Sequence, residues 1–181
     1  MDRHAHSGKF DALKLAATRG HIEGSVDPFD LDRVQDSLGD EEGEIPPSQV
    51  SYRIDGEVDA AGRPVLDVSL AGEVPMQCQR CLRLFTLPVQ QRTTLLLARD
   101  EQELAFLDDS DEREVLLADA PLDALEVVSD ELLLSLPYVP RCDRQDCVAA
   151  TPEQPQEGVE SQSAFAALAA LKRPGKDADP N

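Results

Sequence analysis

Four cysteines stand in this chain as two close pairs, Cys78 with Cys81 and, about sixty residues later, Cys142 with Cys147. Two intervening residues let both thiolates of the first pair reach one ion from a single knuckle, and a second pair completes an all-sulfur shell if the fold brings it alongside. Sulfur-only ligation favours zinc or an iron–sulfur cluster over hard cations, and zinc is the expected ion. Four protein ligands leave no open position for a substrate or an activated water, so the site would be structural.

Two other readings stand beside that one. The cysteines can be ordinary small buried residues. Alternatively Cys78 and Cys81 can cycle between dithiol and disulfide, as a C-x-x-C does beside a thioredoxin-like unit, making the chain an oxidoreductase or redox sensor. After Cys81 the chain continues Leu82-Arg-Leu-Phe-Thr-Leu-Pro88. That stretch is β-prone and interrupted by proline, and it offers no helix N-terminus to stabilise a reactive thiolate. The histidines, His4, His6 and His21, lie in the N-terminal segment and read as tail or strand residues. No H-E-x-x-H, P-loop or nucleophile elbow is present, so no catalytic residue is expected.

Something must position the two pairs. At 181 residues, with 41% hydrophobic and 4% aromatic residues and no tryptophan, the chain can hold one domain whose core is mainly Leu, Val and Ala. It lacks a signal-peptide pattern and a membrane-length apolar run, so a cytoplasmic location is expected, where paired cysteines are ligands or redox groups more often than disulfides. A net charge of −19 weighs against unaided nucleic-acid binding. The charge is uneven, however. Residues 75–99 carry Arg80, Arg83, Arg92 and Arg99 and no acidic residue, whereas residues 100–131 carry thirteen acidic residues and one arginine. The first stretch reads as strand-edge solubility or as a cationic knuckle. The second reads as a solvated loop and helix face, or as a dock for a basic partner such as a ribosomal protein.

Residues 10–16 are short and ambiguous. Residues 21–26 alternate like a strand, and Asp27-Pro28 opens a helix through Leu38 with Phe29, Leu31, Val34 and Leu38 on its apolar side. A loop at 40–47 follows. Period-two alternation predicts strands at 50–58 and 65–70 joined by a hairpin at 59–62, and residues 82–87 and 93–98 extend this antiparallel sheet, with Pro88 at an edge or bend. Residues 114–117 read as a last strand. Pro121 opens a helix to 136 whose apolar positions Leu122, Leu125, Val128, Leu132 and Leu136 share one face. The whole is an α+β domain over 1–147 with a barrel-like antiparallel sheet, packed helices and a zinc knuckle. A disordered linker at 148–162 leads to an amphipathic helix at 163–173 with Phe165, Leu168 and Leu171 on one stripe, docking on its own sheet or on a partner, and to a disordered tail at 174–181.

With these pieces in order the chain resembles the YceD family, the large-ribosomal-RNA-subunit accumulation proteins. The likeness rests on Ile22-Glu-Gly-Ser-Val26 and the helix after it, on Cys78-Gln-Arg-Cys81, on Asp130-Glu-Leu-Leu-Leu-Ser-Leu-Pro-Tyr-Val-Pro140 leading into Cys147, and on Phe165-Ala-Ala-Leu-Ala-Ala-Leu-Lys172. Two departures stand out: Cys142 where members carry a histidine, and Ser163-Ala164 where they carry Asn-Pro. The first exchange suits a zinc ligand. The resemblance implies a non-enzymatic role in the synthesis, processing or stability of large-subunit (23S) ribosomal RNA, in ribosome biogenesis. It implies as partner either that RNA, through Arg80, Arg83, Arg92, Arg141 and Arg144, or a basic large-subunit ribosomal protein, through Asp108, Asp109, Asp111 and Glu112. No membrane and no small-molecule substrate is expected.

Overall fold

The computed structural model describes residues 8–39 and 48–149. In chain order these form β1 (Lys9–Phe10), α1 (Ala12–Thr18), β2 (His21–Val26), a 3-10 turn (Pro28–Asp30), α2 (Asp32–Gln35), β3 (Gln49–Val58), β4 (Pro64–Gln77), β5 (Leu84–Ala98), α3 (Glu101–Ser110), β6 (Val115–Leu117), β7 (Leu122–Asp123) and α4 (Ala124–Ser135). All belong to one unit, Met1–Ala150; the second unit, Thr151–Asn181, lies outside the described residues. Outside them also fall His4, His6, the loop at 40–47, the expected helix with Phe165, Leu168 and Leu171, the tail, and all but residues 148 and 149 of the expected linker.

Alternation builds the centre of the sheet. In β3, Val50, Tyr52 and Ile54 are buried while Ser51 and Arg53 are exposed, as half-buried strands require. The β3–β4 hairpin is closed by Asp59, whose Oδ1 accepts from the backbone N–H groups of Ala61 and Arg63, each at 2.9 Å, and by Gly62 at φ +81°. The five strands run in the order β2-β3-β4-β5-β6, and β1 pairs separately with β7. Among the described residues the large sheet is open, which corrects the barrel-like expectation.

It is also mixed rather than wholly antiparallel, because β6 lies parallel to β5 through Leu96↔Val115 to Ala98↔Leu117. A parallel neighbour needs a crossover, and α3 supplies it where the sequence reading placed an acidic loop. Asp100 caps α3, its Oδ1 accepting from Glu103 N–H at 2.8 Å. The expected strands 82–87 and 93–98 are one strand, β5. Pro88 is tolerated inside it because β6 reaches only Leu96–Ala98, so this half of β5 is a sheet edge.

The main core lies on one face, where Val50, Ile54, Leu66, Val68, Leu70 and Val74 meet Ala12 and Ala16 of α1, Val34 of α2 and Val128 and Leu132 of α4. On the opposite face Val65, Leu96, Ala98 and Leu107 are buried apart from that core, under α3. The approach of α1 is close. A Cβ on Gly56 would stand 2.4 Å from the Leu15 carbonyl carbon, so only glycine lets this helix backbone rest on β3. Gly24, directly opposite Tyr52, is covered by that ring in the same spirit.

Two helix boundaries differ from expectation. The predicted 28–38 helix breaks into the 3-10 turn and the single turn α2, with Leu31 extended between them. Helix α4 starts at Ala124 rather than Pro121, because Leu122 is paired with Phe10 in the small sheet and Asp123 caps the helix, accepting from Leu125 N–H at 2.9 Å. Arg33 pairs with Asp130 and so ties α2 to α4.

Candidate metal centre

The two cysteine pairs are delivered by different parts of the fold. Strand β4 runs directly into Cys78, and the β4–β5 connection is itself the first knuckle. It is closed by Cys78 N–H donating to Arg83 O at 3.0 Å and by Leu82 N–H donating to Cys78 O at 2.8 Å. Leu82 takes a left-handed φ of 58°, uncommon for a branched residue, which the tight turn imposes. The second pair follows α4. Pro137 stops that helix, and the exit strand is laid against the knuckle by Gln79 N–H donating to Pro140 O at 2.9 Å. A turn then forms from Arg144 to Cys147, with Cys147 N–H donating to Arg144 O at 3.1 Å.

These elements bring all four sulfurs within 4.8 Å of one another. Cys78 Sγ lies 3.8 Å from Cys147 Sγ, and Cys81 Sγ lies 3.8 Å from Cys142 Sγ. A tetrahedron of sulfurs about 2.3 Å from a central zinc ion has edges of about 3.8 Å, so the donors already stand at zinc-like separations. Each sulfur of the C-x-x-C pair has a close contact in the other pair, which disfavours a self-contained dithiol. Cys78 and Cys147 are buried, and Cys81 and Cys142 are half-buried.

The electrostatics favour a cation. The N–H of Cys142, which points at Cys78 Sγ over 3.4 Å, and the N–H groups of Cys81 and Arg80 pull the Cys78 thiol down to about 5. The N–H of Arg83 lowers Cys81 as well. Burial, followed by the neighbouring sulfurs, pushes Cys147 up to about 12. Backbone N–H groups thus favour the ionised form of two sulfurs while burial opposes it at a third. A divalent cation held among them would offset that opposition, since a coordinating thiol is deprotonated. The donor set fits a four-cysteine structural ion and has no free coordination position.

Around the centre the arginines divide. Arg83 pairs with Asp146 at 2.9 Å, hydrogen-bonds the Cys81 sulfur, and is held protonated by both. Arg144 donates to Leu84 O at 2.9 Å. Arg80 and Arg141 are exposed and make no ion pair with any described residue. Arg92 is not part of this cluster. It sits well along β5, opposite Ser69 on the uncovered sheet face, and pairs with Asp67 at 3.0 Å. In the acidic block Asp108, Asp109 and Glu112 are exposed, but Asp111 is committed to Arg63 and Arg113 at 3.0 and 2.9 Å. The sequence reading passed over Tyr138, which stands 96% exposed beside the metal centre. Its position between two prolines, which exclude it from α4, was the available signal.

A family model described as "Large ribosomal RNA subunit accumulation protein YceD" matches residues 66–172, more than half of the chain and both cysteine pairs. No solved structure matches the chain.

Proposed function

The chain belongs to the YceD family, the large ribosomal RNA subunit accumulation proteins, and from that premise we propose that it serves ribosome biogenesis in the cytoplasm as a non-enzymatic factor organised by structural zinc. The observation that carries the reading is the four-sulfur cluster inside the matched region. Its closed shell stabilises a surface instead of activating a substrate. Zinc would be held by Cys78, Cys81, Cys142 and Cys147, and its contribution would be to fix the exit of α4 against the β4–β5 turn. Large-subunit RNA, or a basic protein bound to it, is the partner that this surface serves. Among the described residues no helix is long and apolar enough to cross a membrane.

The test is the ratio of large- to small-subunit ribosomal RNA in cells lacking this chain. The ratio is expected to fall and to recover with the intact protein but not after Cys142→Ser or Cys147→Ser, although both spare the C-x-x-C pair. An unchanged ratio in the deletion overturns the reading. Full rescue by the Cys142 and Cys147 variants, with failure of Cys78→Ser, would transfer the function to dithiol chemistry.

A further inference from the structure

Resting on that reading, we propose that the metal-centre tip is a binding site for unpaired RNA, in which Tyr138 stacks on a base while Arg80 and Arg141 hold the flanking phosphates. The two segments that carry these side chains run side by side in opposite directions. Cys142 N–H points at Cys78 Sγ, and Gln79 N–H donates to Pro140 O. Arg80 follows Gln79 and Arg141 follows Pro140, so the two guanidinium-bearing residues flank the bonded pair on the two segments. Tyr138 also borders a groove of about 370 Å³ lined by Asp36, Leu38, Met76, Gln79 and Pro137.

Three observations favour RNA. The ring is 96% exposed in a chain with few aromatics, and the adjoining Val139 is 43% exposed, so the tip presents an apolar surface at no cost to the core. The flanking residues contribute four arginines, Arg80, Arg83, Arg141 and Arg144, against Asp143 and Asp146. Arg83 answers the local anions, sulfur included, which leaves Arg80 and Arg141 uncommitted. Finally, charges more than about 8 Å away are largely screened at physiological salt, so a cationic end can act on a chain of net charge −19. An exposed ring flanked by free guanidinium groups is the chemistry that recognises splayed single-stranded bases, whereas duplex RNA offers no face to stack upon.

The experiment is equilibrium binding of the full-length zinc-loaded protein to a fluorescein-labelled single-stranded oligoadenylate and to a matched RNA duplex, as a function of salt. Preference for the single strand is expected. Tyr138→Ala should weaken it roughly 5- to 100-fold and Tyr138→Phe hardly at all. Arg80→Ala with Arg141→Ala should flatten the dependence of log K on log salt by about 1.4, two single-strand phosphate contacts' worth. Zinc content and thermal unfolding of each variant confirm that the tip is intact. Failure of the wild-type protein to bind the single strand, equal binding by Tyr138→Ala, or an unchanged slope would each overturn the proposal. So would a Tyr138→Ala defect confined to isolated large-subunit ribosomal proteins. These outcomes leave the ribosomal-RNA ratio untouched, so the site can fail while the broader function stands.

Discussion

Removing the metal should release one segment and spare the rest. Residues 137–149 are tied to the body by few contacts: Gln79 N–H to Pro140 O, Cys142 N–H to Cys78 Sγ, Arg83 to Asp146 O and Arg144 to Leu84 O, with one exposed Arg83–Asp146 ion pair. At about 1 kcal/mol each the hydrogen bonds supply about 4 kcal/mol, and the exposed pair is screened by solvent and adds little. Fixing the backbone of thirteen residues costs roughly 13–26 kcal/mol. A structural zinc ion contributes about 10–16 kcal/mol in small zinc-finger peptides, a gain of the same order as the resulting deficit. Without it the segment is short by on the order of 10 kcal/mol and must come free. The main core contains neither Cys78 nor Cys147, so the sheet and α4 should stay folded. Hydrogen exchange read by mass spectrometry, before and after chelation, is the assay. Peptides spanning 78–83 and 137–149 should exchange at nearly the free-peptide rate once zinc is stripped, those from β3, the first half of β4 and α4 should not, and added zinc should restore protection. Persistent protection of 137–149 in demonstrably metal-free protein would refute the reasoning, and so would loss of protection throughout the sheet.

Three further outcomes follow from particular residues. Gly56→Ala drives a Cβ into the Leu15 backbone and should destabilise the domain by about 1–3 kcal/mol or more in urea titration, whereas Gly62→Ala, which meets no atom within 4 Å, should cost only the strain of φ +81°, about 1–2 kcal/mol. Asp59, held by Arg63 N–H and the Arg63 and Arg113 guanidinium groups, titrates at about 2, below the usual aspartate value of about 3.9. Its stabilisation is therefore complete above about 4 and lost as pH falls through about 2, and Asp59→Asn should lower the urea midpoint at neutral pH while converging on the parent at pH 2. Glu131 is 3% exposed, and burial raises its pKa, with Glu114 and Asp130 adding to the rise and a Thr93 hydrogen bond opposing it. Burial disfavours its charge in the native state, so Glu131→Gln should raise the melting temperature at pH 8 by an amount that shrinks as the medium is acidified; a gain independent of pH would exclude the carboxylate as its source.

The clustering of the four cysteines was legible because their spacing in two close pairs suggests a shared site, and the fold does bring the pairs together. Strands β2 and β3 and the first half of β4 were legible for a similar reason, since alternation survives wherever one face is buried, whereas the continuation of β4 over residues 71–77 was not anticipated. The crossover was not. In α3 the charge run hides a helix whose apolar contribution is a single buried residue, Leu107, and the cap pair Asp100 and Glu103 was the local signal. Reading the acidic stretch ahead of Glu114 as a loop removed the connection that a parallel β6 requires, and so the sheet was taken as antiparallel. The arginines show the same limit in another form. Arg80 and Arg92 lie close in sequence, but a strand rises about 3.3 Å per residue, and β5 carries Arg92 away from the tip. The role proposed for Tyr138 depends on the backbone register of two distant segments; the flanking prolines signal only that it lies outside α4.

The arrangement of the cysteines has a temporal meaning. Cys78 and Cys81 leave the ribosome about sixty residues ahead of Cys142 and Cys147, and everything between them, β5, α3, β6, β7 and α4, must be made before four sulfurs could share one ion. At ordinary elongation rates of about 5–20 residues per second that delay is several seconds, long compared with the formation of a hairpin or a helix. A first pair alone holds an ion only loosely, because half the shell is missing. With zinc as the proposed ion, its tight capture would mark the moment at which the intervening chain has been completed and folded, so that the ion would act as a seal on a finished domain rather than as a seed for it.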